Sequence, residues 1–197
     1  LTSGKESTLG RESDVLLLLP KVAEACPHGV APTTSTLMQL AVGDALALAL
    51  LEKRGFTATD FRVFHPGGSL GASLSHVKDV MHRGEELPLV KIGTPMPEAM
   101  RIHSHKHFGC VIVENEDGTL AGIITDGDLT RNVDRPMATL KVDDIMTRSP
   151  KTVSPNQLLG ATLALLNEAR IGAVIVVEEN RPVGLVHFHD LLRAGVA

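Results

Sequence analysis

The residues best suited to chemistry begin with Phe64-His65-Pro66-Gly67-Gly68-Ser69-Leu70-Gly71. Pro66 biases His65 towards an extended backbone, and the glycines let the chain turn where a Cβ would clash. A histidine held in this way is odd chemistry for a spacer; the plain alternative is a flexible joint with an incidental imidazole. Thr125-Asp126-Gly127-Asp128 places a hydroxyl and two carboxylates where they can cap a helix. His103, His105 and His107 alternate, and on a helix the first and last share a face that can bind a metal through neutral imidazole. No Cys or carboxylate stands at matching local spacing, so no metal site is assigned. Cys26 precedes a proline and has no flanking base, which favours a buried or neutral thiol over a nucleophile. Glu24, taken alone, reads as a surface carboxylate.

These residues need elements to position them, and 197 residues give room for one or two domains. Aromatic residues make up 3%, so the core must be built from Leu, Val, Ile, Ala and Met. A net charge of −4 leaves no basic footprint for nucleic acid. Two cysteines make no disulfide framework, and a reducing cytoplasm is the expected setting. The amino terminus shows no apolar signal run. The most apolar stretch, Leu37 to Leu51, holds Gln39, Gly43 and Asp44 and is shorter than the roughly 20 residues of a membrane span. No membrane partner is expected.

In the first segment, residues 1–74, Ser7 or Thr8 can cap a short helix before Asp14. Val15-Leu16-Leu17-Leu18-Leu19, stopped by Pro20, fits a strand buried on both faces of a parallel sheet. Hydroxyls from Thr33 to Thr36 can start a helix that runs to about Arg54 and stops at Gly55. That helix is apolar on most sides, which predicts burial in a domain core or a subunit interface. One strand, one turn and one long helix cannot close a core around themselves. With the abrupt start at Leu1, this leads us to expect an upstream part elsewhere, or completion by another subunit.

After residue 74 the chain repeats itself. Val77-Lys78-Asp79-Val80-Met81 returns as Val142-Asp143-Asp144-Ile145-Met146, and Val111-Ile112-Val113 as Val174-Ile175-Val176. Gly122-Ile123-Ile124-Thr125-Asp126-Gly127-Asp128-Leu129 returns as Gly184-Leu185-Val186-His187-Phe188-His189-Asp190-Leu191. Matches in constant order at nearly constant spacing are a duplication. Each copy predicts a short helix at the Met, a longer helix (Pro97 to about Lys106; Gln157 to about Ala169), two β-branched strands and a closing helix. Met81 and Met146 read as core residues.

This duplicated α+β pattern resembles the tandem CBS-domain pair, with repeats at 75–137 and 138–197. The resemblance implies clefts that bind nucleotides or related ligands, lined by Thr125, Asp126 and Asp128 in one copy and by His187 and Asp190 in the other. A hydroxyl and free amides at a helix start can receive phosphate, while a carboxylate can accept from ribose hydroxyls. His187 stands where Ser or Thr is expected, which puts adenosine phosphates in doubt at the second cleft.

Upstream, Glu24-Ala25-Cys26-Pro27, Ala31-Pro32-Thr33-Thr34-Ser35-Thr36, Gly43-Asp44-Ala45-Leu46, Arg54-Gly55-Phe56-Thr57 and His65-Pro66-Gly67-Gly68 occur in this order. They resemble the carboxy-terminal part of the sugar isomerase (SIS) domain of bacterial D-arabinose 5-phosphate isomerases. The fold class implied is α/β: part of a parallel-sheet, Rossmann-like SIS domain followed by the α+β CBS pair. The implied activity is interconversion of D-ribulose 5-phosphate and D-arabinose 5-phosphate through an enediol, serving the Kdo sugar of lipopolysaccharide. Such proton transfer needs no metal or redox cofactor. The family's active-site glutamate falls on Glu24, as base, and its histidine on His65, as helper in ring opening or proton shuttling.

The family's phosphate loop, lysine and second histidine have no counterpart here, so little activity is expected of this chain alone. The resemblance also implies a homodimer or homotetramer and, at the CBS pair, a nucleotide or the cytidine-linked Kdo sugar as feedback ligand. Two alternatives remain: a non-catalytic nucleotide or nucleotide-sugar sensor, which has no need of Glu24 and His65, and an isomerase of another sugar phosphate, which shares every motif.

Overall fold

Ser7 starts the first helix, α1 (Thr8–Arg11), by accepting from the Gly10 amide at 3.1 Å. Further on, α2 (Thr34–Lys53) ends at Arg54 and is closed by Gly55, whose φ of 62° suits a residue without a Cβ. The computed structural model describes residues 1–196 and divides into two units, Leu1–Thr57 and Ala58–Ala197.

In the first unit the Val15–Leu19 run is extended but joins no strand. Leu18 makes a single parallel bridge to Thr2, the Leu19 amide donates to the Thr2 carbonyl at 2.9 Å, and only Leu19 of the five is buried. The expectation of a strand buried on both faces is therefore not met. Such burial requires neighbouring strands and helices on both sides of a sheet. The helix α2, expected in a domain core or a subunit interface, is not covered within this chain. No residue of it is buried, and Leu37, Leu40 and Leu48 are 67%, 61% and 65% exposed. At 20 residues α2 is longer than the apolar core read from the sequence, and by length and composition alone it is apolar enough to cross a membrane.

The second unit opens with α3 (Ala58–Phe64) and α4 (Gly68–Ser73), so these helices group with the repeats although the sequence reading assigned them to the first segment. A 3-10 turn at Val77–Asp79 leads into the first copy: β1 (Leu89–Lys91), α5 (Met96–Lys106), β2 (Cys110–Glu114), β3 (Leu120–Thr125) and α6 (Asp126–Arg131). A matching turn at Val142–Asp144 leads into β4 (Thr147–Arg148), β5 (Thr152–Val153), α7 (Leu159–Ala169), β6 (Ala173–Glu178), β7 (Arg181–His187) and α8 (Phe188–Arg193). In the first copy β1 runs parallel to β2 and in the second β5 runs parallel to β6; β2–β3 and β6–β7 are antiparallel hairpins. Both hairpins slip register at equivalent points, after Val113 and after Val176.

The copies exchange their opening segments. Strand β4, from the start of the second copy, pairs with β3 of the first, setting Thr147 opposite Ile123. His82, from the start of the first copy, bridges Leu185 in β7 of the second. Packing follows the same exchange. Val77 is fully buried among Val153, Leu159, Leu166, Val174 and Val186, whereas Val142, Ile145 and Met146 pack among Val90, Met96, Val111 and Ile124. Between the two sheets Leu87, Cys110, Ile112, Ile123, Ile175 and Leu185 form a third cluster. Each buried aliphatic side chain of this kind contributes about 1.5–3 kcal/mol.

Two glycines permit the exchange. A Cβ on Gly122 would lie 2.9 Å from the Met146 sulfur, and one on Gly184 would lie 2.6 Å from the Met81 sulfur. Each repeated glycine thus makes room for the repeated methionine of the other copy.

Candidate functional site

Glu24 lies in the first unit, at the start of α2. Its Oε2 accepts from the Thr33 amide at 2.8 Å, the Thr33 hydroxyl at 3.0 Å and the Ser35 amide at 3.3 Å. Thr33 is the N-cap residue but makes no side-chain cap of its own; its hydroxyl instead accepts from the Ala25 amide at 2.8 Å. The carboxylate supplies the cap. Hydrogen bonds from the Ser35 side chain and the Thr33 backbone hold its pKa down at about 2.

His65 lies in the second unit, directly after α3. Its ring stacks on Phe61 with centroids 4.2 Å apart, and its Nδ1 sits 3.3 Å from the Phe61 carbonyl oxygen. The glycines after it have distinct uses. Gly68 has a φ of 69°, and a Cβ on Gly71 would lie 2.6 Å from the His65 carbonyl oxygen, so α4 folds back over the His65-Pro66 backbone.

The first cleft is built where β3 hands over to α6. Thr125 is the N-cap: its amide and hydroxyl donate to Asp128 Oδ2 at 2.8 and 2.7 Å, and the Asp128 amide donates back to the hydroxyl at 3.3 Å. Asp128 Oδ1 accepts from Arg131 at 2.7 Å and from the Thr147 hydroxyl at 3.1 Å. Burial pulls this carboxyl upward, but the hydrogen bonds from Thr125, Arg131 and Thr147 outweigh it, and its pKa is lowered. Asp126 is exposed beside it, with Oδ1 3.0 Å from His103 Nε2, an ion-pair distance without hydrogen-bond alignment. His103 is thereby separated in role from His105 and His107. Among the described residues no three His, Cys, Asp or Glu side chains gather as metal ligands.

The second cleft repeats the frame with different chemistry. His187 is the N-cap of α8; its Nδ1 accepts from the His189 amide at 3.2 Å, and its own amide donates to Asp190 Oδ2 at 2.9 Å. Burial lowers the His187 pKa, and neighbouring His189 acts the same way. The place of Thr147 is taken by His82, whose Nε2 lies 3.2 Å from Asp190 Oδ2. Beside it is a cavity of about 380 Å³ lined by His82, Glu85, Glu86, His105, Lys106 and Phe108.

The site residues expected from the sequence thus fall into three groups. Thr125, Asp126 and Asp128 come together at one helix start, and His187 and Asp190 at the other. Glu24 and His65 belong to different units. Thr147 and His82 were missed, although a signal was present: each follows the repeated methionine, and the repeat itself marks them as equivalent.

A family model for the CBS domain matches residues 77–135 and 142–197. The chain belongs to the CBS-domain family. The CBS pair accounts for the exchanged sheets and for the capped aspartate in each copy. Over its whole length the chain is 47% identical to the arabinose 5-phosphate isomerase KdsD of Pseudomonas aeruginosa, of which it covers 61%. The chain therefore spans about three fifths of that relative's length. Among solved structures, an uncharacterized conserved protein from Pyrococcus horikoshii is 32% identical with a TM-score of 0.55, covering 62% of this chain and 93% of that one. CBSX2 in complex with AMP is 26% identical with a TM-score of 0.54, covering 61% of this chain and 96% of that one.

Proposed function

We propose that the protein is an aldose–ketose isomerase interconverting D-ribulose 5-phosphate and D-arabinose 5-phosphate, with the CBS pair as its regulatory receptor. The observation that carries this reading is the 47% identity to an arabinose 5-phosphate isomerase along the entire chain, on both sides of residue 74. In this reading residues 1–74 belong to a cytoplasmic SIS catalytic domain that works as a homodimer or homotetramer within Kdo and lipopolysaccharide synthesis. The reaction moves a proton between C1 and C2 through an enediol, with Glu24 taking the carbon-bound proton and His65 assisting at the oxygens. Glu24, held ionised by Thr33 and Ser35, is in the protonation state a base requires, though a carboxylate of such low pKa is a weak one.

The receptor takes a nucleotide or a nucleotide sugar. AMP in the related CBSX2 supports the class; the Thr125 amide and hydroxyl are already given to Asp128, and the Asp126 amide to the Gly109 carbonyl, so these groups are not free phosphate donors. A second reading, a ligand sensor without chemistry, is favoured by one observation: Glu24 Oε2 is engaged in capping α2. The two are separated by assaying isomerisation of D-ribulose 5-phosphate by NMR, using protein expressed from its complete reading frame, with and without Glu24→Gln. Turnover that is lost in the variant supports the enzyme. Wild-type rates in Glu24→Gln remove Glu24 from the mechanism, and absence of turnover in both favours the sensor.

A further inference from the structure

His82 occupies a place that a neutral imidazole cannot satisfy. Its Nδ1 lies 2.9 Å from Glu86 Oε2 and its Nε2 3.2 Å from Asp190 Oδ2. Ionised carboxylates only accept hydrogen bonds, and an imidazole carries two N–H donors only when protonated. The main chain of His82 is fastened as well: its amide donates to the Leu185 carbonyl at 2.9 Å, and the Leu185 amide donates to its carbonyl at 3.1 Å. Its ring meets Phe108 edge-on at 4.7 Å. In the first cleft the same position is held by the Thr147 hydroxyl, which donates to Asp128 without itself changing charge.

We propose that His82 is a proton-operated clasp. As imidazolium it joins Glu86 to Asp190 and fastens the exchanged opening segment onto β7; on losing its proton it keeps one N–H, which stays on the better shielded Asp190, and it releases Glu86 towards the adjoining cavity. The fastening at the second cleft then depends on a histidine proton, and the fastening at the first does not. The charged and titratable groups around His82 are consistent with this. Glu86 and Asp190 face it directly, and the Asp190 contact is the better shielded, with side-chain exposures of 13% for Asp190 and 64% for Glu86. His187 and His189 stand at the start of α8, and Arg193 lies 3.9 Å from the other Asp190 oxygen. Glu85, His105 and Lys106 line the adjoining cavity.

The test follows the histidine ring nitrogens by 15N NMR, together with amide exchange at Leu185, between about pH 5 and 8, where histidine changes charge. Both His82 nitrogens should be protonated at the acid end. As the proton leaves, Leu185 protection, corrected for intrinsic exchange, should fall by about tenfold, the size of one charge-assisted hydrogen bond. His82→Thr, which copies the first cleft, should show no such step. A neutral His82 tautomer at the acid end overturns the clasp, and so does a Leu185 profile that is the same in wild type and variant. The wild-type ring signals decide the matter even where the variant does not fold.

Discussion

Thr147 donates its hydroxyl to Asp128 at 3.1 Å, although the two residues belong to different copies of the repeat. Asp128 therefore caps α6 and also fastens β4, and its removal should loosen both. Asp128→Ala should destabilise the second unit by about 0.5–2 kcal/mol, the range for losing a helix cap. Because the folded-state pKa is lowered, the carboxylate's contribution is present above its ordinary value and lost as pH falls through the folded value. Thermal melts of wild type and Asp128→Ala should therefore converge in acid. Parallel curves down to the acid limit would contradict this.

Gly184 and Met81 form the matching contact in the other direction. Gly184→Ala sets a methyl group against the Met81 sulfur and should cost about 1–3 kcal/mol, the usual range for overpacking. Met81→Ala relieves that clash while opening a gap of its own. In a double-mutant cycle by denaturant unfolding, the two substitutions should be strongly non-additive. Simple additivity would mean that the two copies do not pack as described.

Glu24 should titrate at about 2 rather than near its ordinary 4.5, read from its side-chain carbon shift. The stabilisation it gives the start of α2 is then complete above the ordinary value and lost as pH falls towards the folded one. Glu24→Gln should speed amide exchange at Thr33 and Ser35 while leaving the far end of α2 unchanged. Unaltered exchange at both amides would show that the carboxylate is not the cap.

The two cysteines should differ sharply towards a thiol reagent. Backbone N–H groups of Ala31, His28 and Val30 lower the Cys26 pKa, whereas burial pushes Cys110 up to about 12. Since the thiolate is the reactive form, native protein should label at Cys26 first and at Cys110 only on unfolding. Prompt labelling of both, followed by mass spectrometry, would mean that β2 is not the buried strand described.

Much of the second unit was legible in the chain because each repeat carries local signals. Val and Ile runs become β2, β3, β6 and β7, and Thr125 and Asp128 at a spacing of three become a capping box. Apolar periodicity delivers α5 and α7 within two residues of their expected starts. The first unit misled where burial had to be supplied from outside the segment: Val15–Leu19 gained no sheet, and α2 gained no cover.

The sequence by itself determined the duplication, which shows as matching segments, and the capped aspartates, which depend on residues within a few positions of one another. Tertiary structure alone decided that Thr147 serves Asp128 and that His82 serves Asp190. Those partners are chosen by which sheet edge each opening segment joins, and the chain's local preferences are the same for either edge.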